Sequence, residues 1–167
     1  MFDQWQHPLD ARALIRQGIT LKGEVHVAEL PRLQGTVLRD APIRFSLSFG
    51  KNDEGLAVVT GQVQGAVELT CQRCLEAVAI ELDAEVGLGV VDSEEEAKRL
   101  PPELDPLILG EEPLRLADLI EDEILLALPV VPMHAHACVS AHREHEGMEK
   151  ADNPFAALRG LVEPSAH

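Results

Sequence analysis

Residues 63–91 read VQGAVELTCQRCLEAVAIELDAEVGLGVV, two alternating runs on either side of a Cys-x-x-Cys. After the cysteines, Val78, Ile80, Leu82, Ala84, Val86, Leu88 and Val90 hold a period of two. Before them, Val63, Val67, Leu69 and Cys71 fall on alternating positions as well. A strand sends successive side chains to opposite faces, so each run spells a strand with one buried face. The spacing predicts that Cys71-Gln72-Arg73-Cys74 is the turn of a hairpin. Gly61, Gly65, Gly87 and Gly89 are expected to supply bends or bulges in these long strands.

Working outward, residues 21–30, 42–50 and 56–63 read as further strands. In the second of these Ile43, Phe45, Leu47 and Phe49 alternate with Arg44, Ser46, Ser48 and Gly50. Residues 51–55 (KNDEG) form a turn. Upstream, DARALIRQG reads as a short helix capped by Asp10 and ended by Gly18. Downstream the character changes. Ser93 to Glu96 is a capping box before a short acidic helix, which Pro101 and Pro102 stop. Residues 105–110 suggest a strand. Leu116, Leu119, Ile120, Ile124, Ala127 and Leu128 then mark the buried face of a helix, with Asp118, Glu121 and Asp122 outside it, and Pro129 and Pro132 end it. The class expected is α+β: an antiparallel sheet, a meander or partial barrel, from the first half, with helices of the second half packed on it. Residues 1–138 are read as a single domain with a CxxC hairpin. Residues 139–167 are read as a polar, mobile tail ending in a short helix that opens at Asn153-Pro154-Phe155.

The 167 residues suffice for one domain, and the core must be aliphatic because the chain has four Phe, one Trp and no Tyr. No run approaches the ~18 apolar residues of a membrane helix. The opening MFDQWQHPLD lacks a basic region followed by an apolar run, so no secretory signal is expected, and an odd number of cysteines argues against a disulfide framework. Both point to a reducing cytoplasm. The net charge is −15 and uneven: residues 1–51 carry seven Lys/Arg and five Asp/Glu, residues 92–123 three Lys/Arg and twelve Asp/Glu. Such a chain repels phosphate backbones unless its few cations share a face, so DNA is not an expected partner. The acidic half suits a basic partner, or simply a solvated surface.

Three readings of the cysteines are open. A redox pair of the thioredoxin kind needs CxxC at a helix start, whereas here a period of two follows it. A metal site needs ligands from a second segment, and residues 133–138 (MHAHAC) offer Cys138 with either His134 or His136. The third reading is a pair of plain thiols in a turn. His142 and His145 read as surface residues, and His26 sits in a strand with no evident partner. No Gly-rich phosphate loop and no Gly-x-Ser-x-Gly elbow occurs, and the adjacent Glu121, Asp122 and Glu123 point in different directions on a helix. Arg73 is the one basic residue between 52 and 97; it reads either as an exposed turn arginine or as a contact for RNA or another partner.

Glu68-Leu-Thr-Cys71-Gln-Arg-Cys74 resembles the signature of the YceD family, the large ribosomal RNA subunit accumulation proteins of bacteria and plastids. So do LPPELDPL at 100–107, LIEDEILLALPVVP at 119–132 with the following His134 and Cys138, and NPFAAL at 153–158. The resemblance covers most of residues 60–161; the first sixty match only in general pattern. It implies a ribosome biogenesis factor needed for synthesis, processing or stability of 23S rRNA, not a known enzyme. Its implied partner is large-subunit rRNA or the pre-ribosomal particle. Other members look cysteine-rich after the Pro-x-x-Pro, as a four-ligand zinc site requires, so the resemblance implies Cys71, Cys74, His134 and Cys138 as zinc ligands, with His134 where a cysteine would be expected. Two mechanisms follow. One is a binding module that holds rRNA through the near-neutral first half and Arg73. The other is an acidic adaptor or chaperone for a basic ribosomal protein or assembly factor.

Overall fold

The computed structural model describes residues 8–110 and 113–138. The chain divides into two units, Met1–His136 and Ala137–His167. The elements of the first unit are β1 (Pro8–Leu9), α1 (Ala11–Gln17), β2 (Thr20–His26), β3 (Pro42–Lys51), β4 (Ala57–Thr70), β5 (Ala77–Val91), α2 (Glu94–Ala97), β6 (Asp105–Ile108), β7 (Leu114–Arg115) and α3 (Leu116–Ala127). The class is α+β. β2 to β6 form one sheet in chain order, an antiparallel meander to which β6 adds in parallel to β5, while β1 and β7 pair separately. The short helix expected to open at Asn153-Pro154-Phe155 lies outside the described residues.

The alternating runs set the register. Phe45 lies opposite Val63, Val63 opposite Ala84, and Phe49 opposite Val59, so one sheet face is a continuous aliphatic floor. Against it lie Ile15 of α1 and Leu116, Leu119, Ile120 and Ile124 of α3, all buried. Asp10 accepts the Ala13 N–H at 3.0 Å, and Gly18 (φ 65°) ends α1 in the left-handed region that favours glycine.

Several expectations are corrected. The strand expected over 21–30 stops at His26, and two 3₁₀ turns follow, Val27–Glu29 and Pro31–Leu33. Side chains compete with the ladder there: Glu29 accepts the His26 N–H (2.9 Å), Asp40 accepts the Ala28 N–H (3.0 Å), and Pro31 has no N–H to give. His26 has a partner after all, Asp40, with Nδ1 and Oδ2 2.9 Å apart. The glycines make no bulge, since β4 and β5 pair without insertion from Thr70↔Ala77 to Val58↔Gly89. Gly61 and Gly89 serve close approach instead: a Cβ at Gly61 would stand 1.9 Å from the Ser46 carbonyl oxygen, and one at Gly89 would strike Leu100 at 2.6 Å.

Further corrections concern α3. Glu121 is not on a wet face; it is 2% exposed. The loop carrying Pro31–Leu33 covers that side of the helix, and Glu121 Oε1 accepts the Arg32 N–H at 2.5 Å. The Arg32 guanidinium reaches over to Asp122 (2.5 Å). Ala127, expected in the buried stripe, is exposed because the packed part of the helix ends with Ile124.

Candidate metal centre at the hairpin tip

Cys71 continues the inward face of Val67 and Leu69 and is fully buried; Cys74 is half-buried. The turn between them is closed by the main chain: Leu75 N–H donates to the Cys71 carbonyl (2.9 Å) and Cys71 N–H to the Glu76 carbonyl (2.8 Å). Leu75 takes φ 63°, a left-handed conformation unusual for a side chain with a Cβ. This turn folds main-chain N–H groups toward sulfur. Burial pushes the Cys71 thiol up, but the N–H groups of Cys74, Arg73 and His134, with the Cys74 side chain, outweigh it and bring Cys71 down to about 5. Cys71 is therefore a thiolate at neutral pH, the form that binds metal.

The second segment arrives from α3. Pro129 and Pro132 keep the chain from continuing as helix, and the strap 129–136 runs back across the hairpin tip. Gln72 N–H donates to the Pro132 carbonyl (2.8 Å). The Arg73 guanidinium donates to the carbonyls of His134 (3.0 Å) and His136. His134 Nε2 lies 3.1 Å from the Ala77 carbonyl oxygen, and its Nδ1 lies 3.4 Å from Cys74 Sγ. A carbonyl only accepts, so Nε2 carries a proton, and in the neutral ring the Nδ1 lone pair then faces the sulfur.

The ligand atoms of Cys71, Cys74 and His134 all lie within 4.8 Å of one another. With Zn–S near 2.3 Å and Zn–N near 2.0 Å, a tetrahedral ion sets sulfur and nitrogen about 3.5 Å apart, which the Cys74–His134 pair already matches. The Ala77 carbonyl orients the histidine as an outer-shell partner does in metal sites. The donor set therefore fits a metal. Of the two histidines offered by the sequence, His134 joins the cluster; the His136 ring lies 4.9 Å away from it, centroid to centroid, and contributes its carbonyl to Arg73. Cys138, of intermediate exposure, belongs to the second unit.

Arg73, expected as a partner contact, is an exposed residue whose guanidinium also ties the strap to the turn. Sequence reasoning missed that tie, and it missed the Ala77 carbonyl, because main-chain acceptors carry no residue signature. It also missed buried Glu121; the nearest signal was Pro31, which opens the 3₁₀ turn that Glu121 caps.

Residues 59–162 match the family described as Large ribosomal RNA subunit accumulation protein YceD. A curated relative of the same description from Haemophilus influenzae is 38% identical over 133 residues, 75% of each chain. No solved structure matches the chain. Among the described residues no helix is long and apolar enough to cross a membrane.

Proposed function

We propose that this chain, which belongs to the YceD family of large ribosomal RNA subunit accumulation proteins, is a non-enzymatic binding protein of the cytoplasm on which 23S rRNA production depends. The observation that carries this reading is that the matched residues, 59–162, contain every side chain of the hairpin clamp. In this reading Cys71, Cys74 and His134 hold a zinc ion, and Cys138, four residues beyond His134, supplies the fourth ligand. Four protein ligands leave no open position, so the ion is structural: it contributes folding free energy and no reaction chemistry. Cys71 brings a preformed thiolate, His134 an oriented Nδ1, and Arg73 holds the strap in place while the ion is absent.

The partner is large-subunit rRNA, the pre-ribosomal particle or a basic ribosomal protein. The net charge of −15 favours the last for direct contact, with rRNA affected through it. Crosslinking of the tagged protein in growing cells, with captured RNA and protein identified together, tests the reading. Large-subunit rRNA crosslinked directly supports an RNA-binding module, and Arg73→Ala then weakens capture. A basic ribosomal protein without rRNA supports the adaptor. Capture of neither rRNA nor a ribosomal protein would overturn the function proposed here.

A further inference from the structure

β2 is the last strand on one side of the five-stranded sheet, and β6 is the last on the other. The two edges differ. β6 spans four residues and contains Pro106, which has no N–H to offer a further strand. β2 spans seven residues without proline and pairs with β3 at every position from Thr20↔Ser48 to His26↔Pro42. On its other side no strand covers it among the described residues. We infer that this edge is the docking surface for a second copy of the chain: two β2 strands join antiparallel about a two-fold axis at Gly23, and the two sheets become one. The inference goes beyond the proposed function and rests on neither the metal nor the cellular partner.

The hydrogen-bond phase of β2 decides which groups are on offer. The Ile19 carbonyl accepts the Phe49 N–H (2.8 Å) and the Val27 N–H donates to the Ala41 carbonyl (3.0 Å), so the odd-numbered residues of β2 point their main-chain groups at β3. The even-numbered ones point theirs outward. His26 bears this out, since its N–H goes to the Glu29 carboxylate instead (2.9 Å). Thr20, Lys22 and Glu24 therefore present N–H and carbonyl groups along the open edge. Charge then selects both the occupant and the register. Lys22 and Glu24 are exposed and share the outer face of the sheet. Antiparallel pairing centred on Gly23 sets Lys22 opposite the partner's Glu24 and, by symmetry, Glu24 opposite the partner's Lys22. Both are hydrogen-bonded pairs, so each exchanges two main-chain bonds while facing opposite charge. The nearest shifts that keep the phase put Lys22 opposite the partner's Lys22, or Glu24 opposite the partner's Glu24, like against like. Gly23 falls on the axis, in a non-hydrogen-bonded pair where the backbones come closest, and it has no side chain to obstruct them. The Phe45 ring covers that glycine on the core face: a Cβ there would stand 2.9 Å from Phe45 Cζ. On the same face Leu21 meets the partner's Val25. The net charge of −15 opposes self-association, but residues 1–51 carry seven Lys/Arg against five Asp/Glu, so this edge belongs to the part of the sequence that repels least.

Sedimentation equilibrium of the full chain at ~0.15 M salt, where charges are screened beyond about 8 Å, reads the association. The native chain is expected to approach twice its monomer mass as its concentration rises. Lys22→Glu alone and Glu24→Lys alone are each expected to weaken the dimer at least about tenfold, since symmetry counts every swap twice. Both positions are exposed, so neither change removes a buried contact. The two variants mixed in equal amounts are expected to recover the dimer, because one copy of each again sets opposite charges face to face at both pairs. A native chain that stays monomeric up to ~100 μM overturns the inference and leaves the edge to another occupant. A dimer that ignores both swaps overturns it as well, and so does one that each swap dissolves and the mixture fails to restore.

Discussion

His134 shows how contacts on both ring nitrogens orient a single side chain. Its Nε2–H is spent on the Ala77 carbonyl, which leaves Nδ1 toward Cys74. Cys74→Ser removes one of the two sulfur donors of the turn, and metal content is expected to fall from about one ion per chain to near zero, as elemental analysis would read it. Leu75 sits at φ 63°, where a Cβ costs roughly 1–2 kcal/mol, and glycine returns part of that gain through its freer unfolded chain. Leu75→Gly is therefore expected to raise stability by about 0.5 kcal/mol in denaturant titration; a loss would mean the leucine side chain packs. Asp40 is held below its ordinary value of 3.8, first by the Ala28 N–H and then by His26, against the opposing effect of burial. A carboxyl depressed by folding stabilises above its unfolded pKa, and that contribution is lost as pH falls through 3.8 and below. Asp40→Asn should flatten that part of the acid unfolding profile.

At the scale of the element, α3 carries the most. Ile124 is completely buried, so Ile124→Asp places a charge in the aliphatic core and is expected to unfold the first unit, seen as loss of the cooperative thermal transition. Glu121→Ala leaves the Arg32 N–H without its acceptor and is expected to cost about 1–3 kcal/mol. An effect within a few tenths would put Glu121 back on the wet face. These two residues mark what the sequence can and cannot say. The hairpin is legible because Val78 to Val90 repeat a period of two, and the pairing that follows needs no other signal. Most of the apolar stripe of α3 is legible for the same reason. Glu121 is not, because its burial comes from a loop folded over the outer side of the helix, and periodicity within one element knows nothing of a second layer. The end of β2 at His26 is hidden likewise, since side-chain caps from Glu29 and Asp40 decide it. The Cys-x-x-Cys turn and the candidate His134 are readable as residue types at metal-ligand spacing. The Gln72–Pro132 and Arg73–strap hydrogen bonds that bring them together end on main-chain carbonyls, which leave no trace in the sequence.

For the whole molecule, the charge and the site combine into one account. A chain of net charge −15 folds an aliphatic meander, covers it with α1 and α3, and returns the strap after α3 to the hairpin tip. The cysteine sulfurs and the histidine at that tip lie close enough together to suit a metal ion. The measurement that tests this account most directly is elemental analysis of the native full-length chain, purified without chelators, alongside its melting profile. The account predicts close to one zinc per chain, with metal removal lowering the melting temperature. A metal-free native protein at full stability would contradict it.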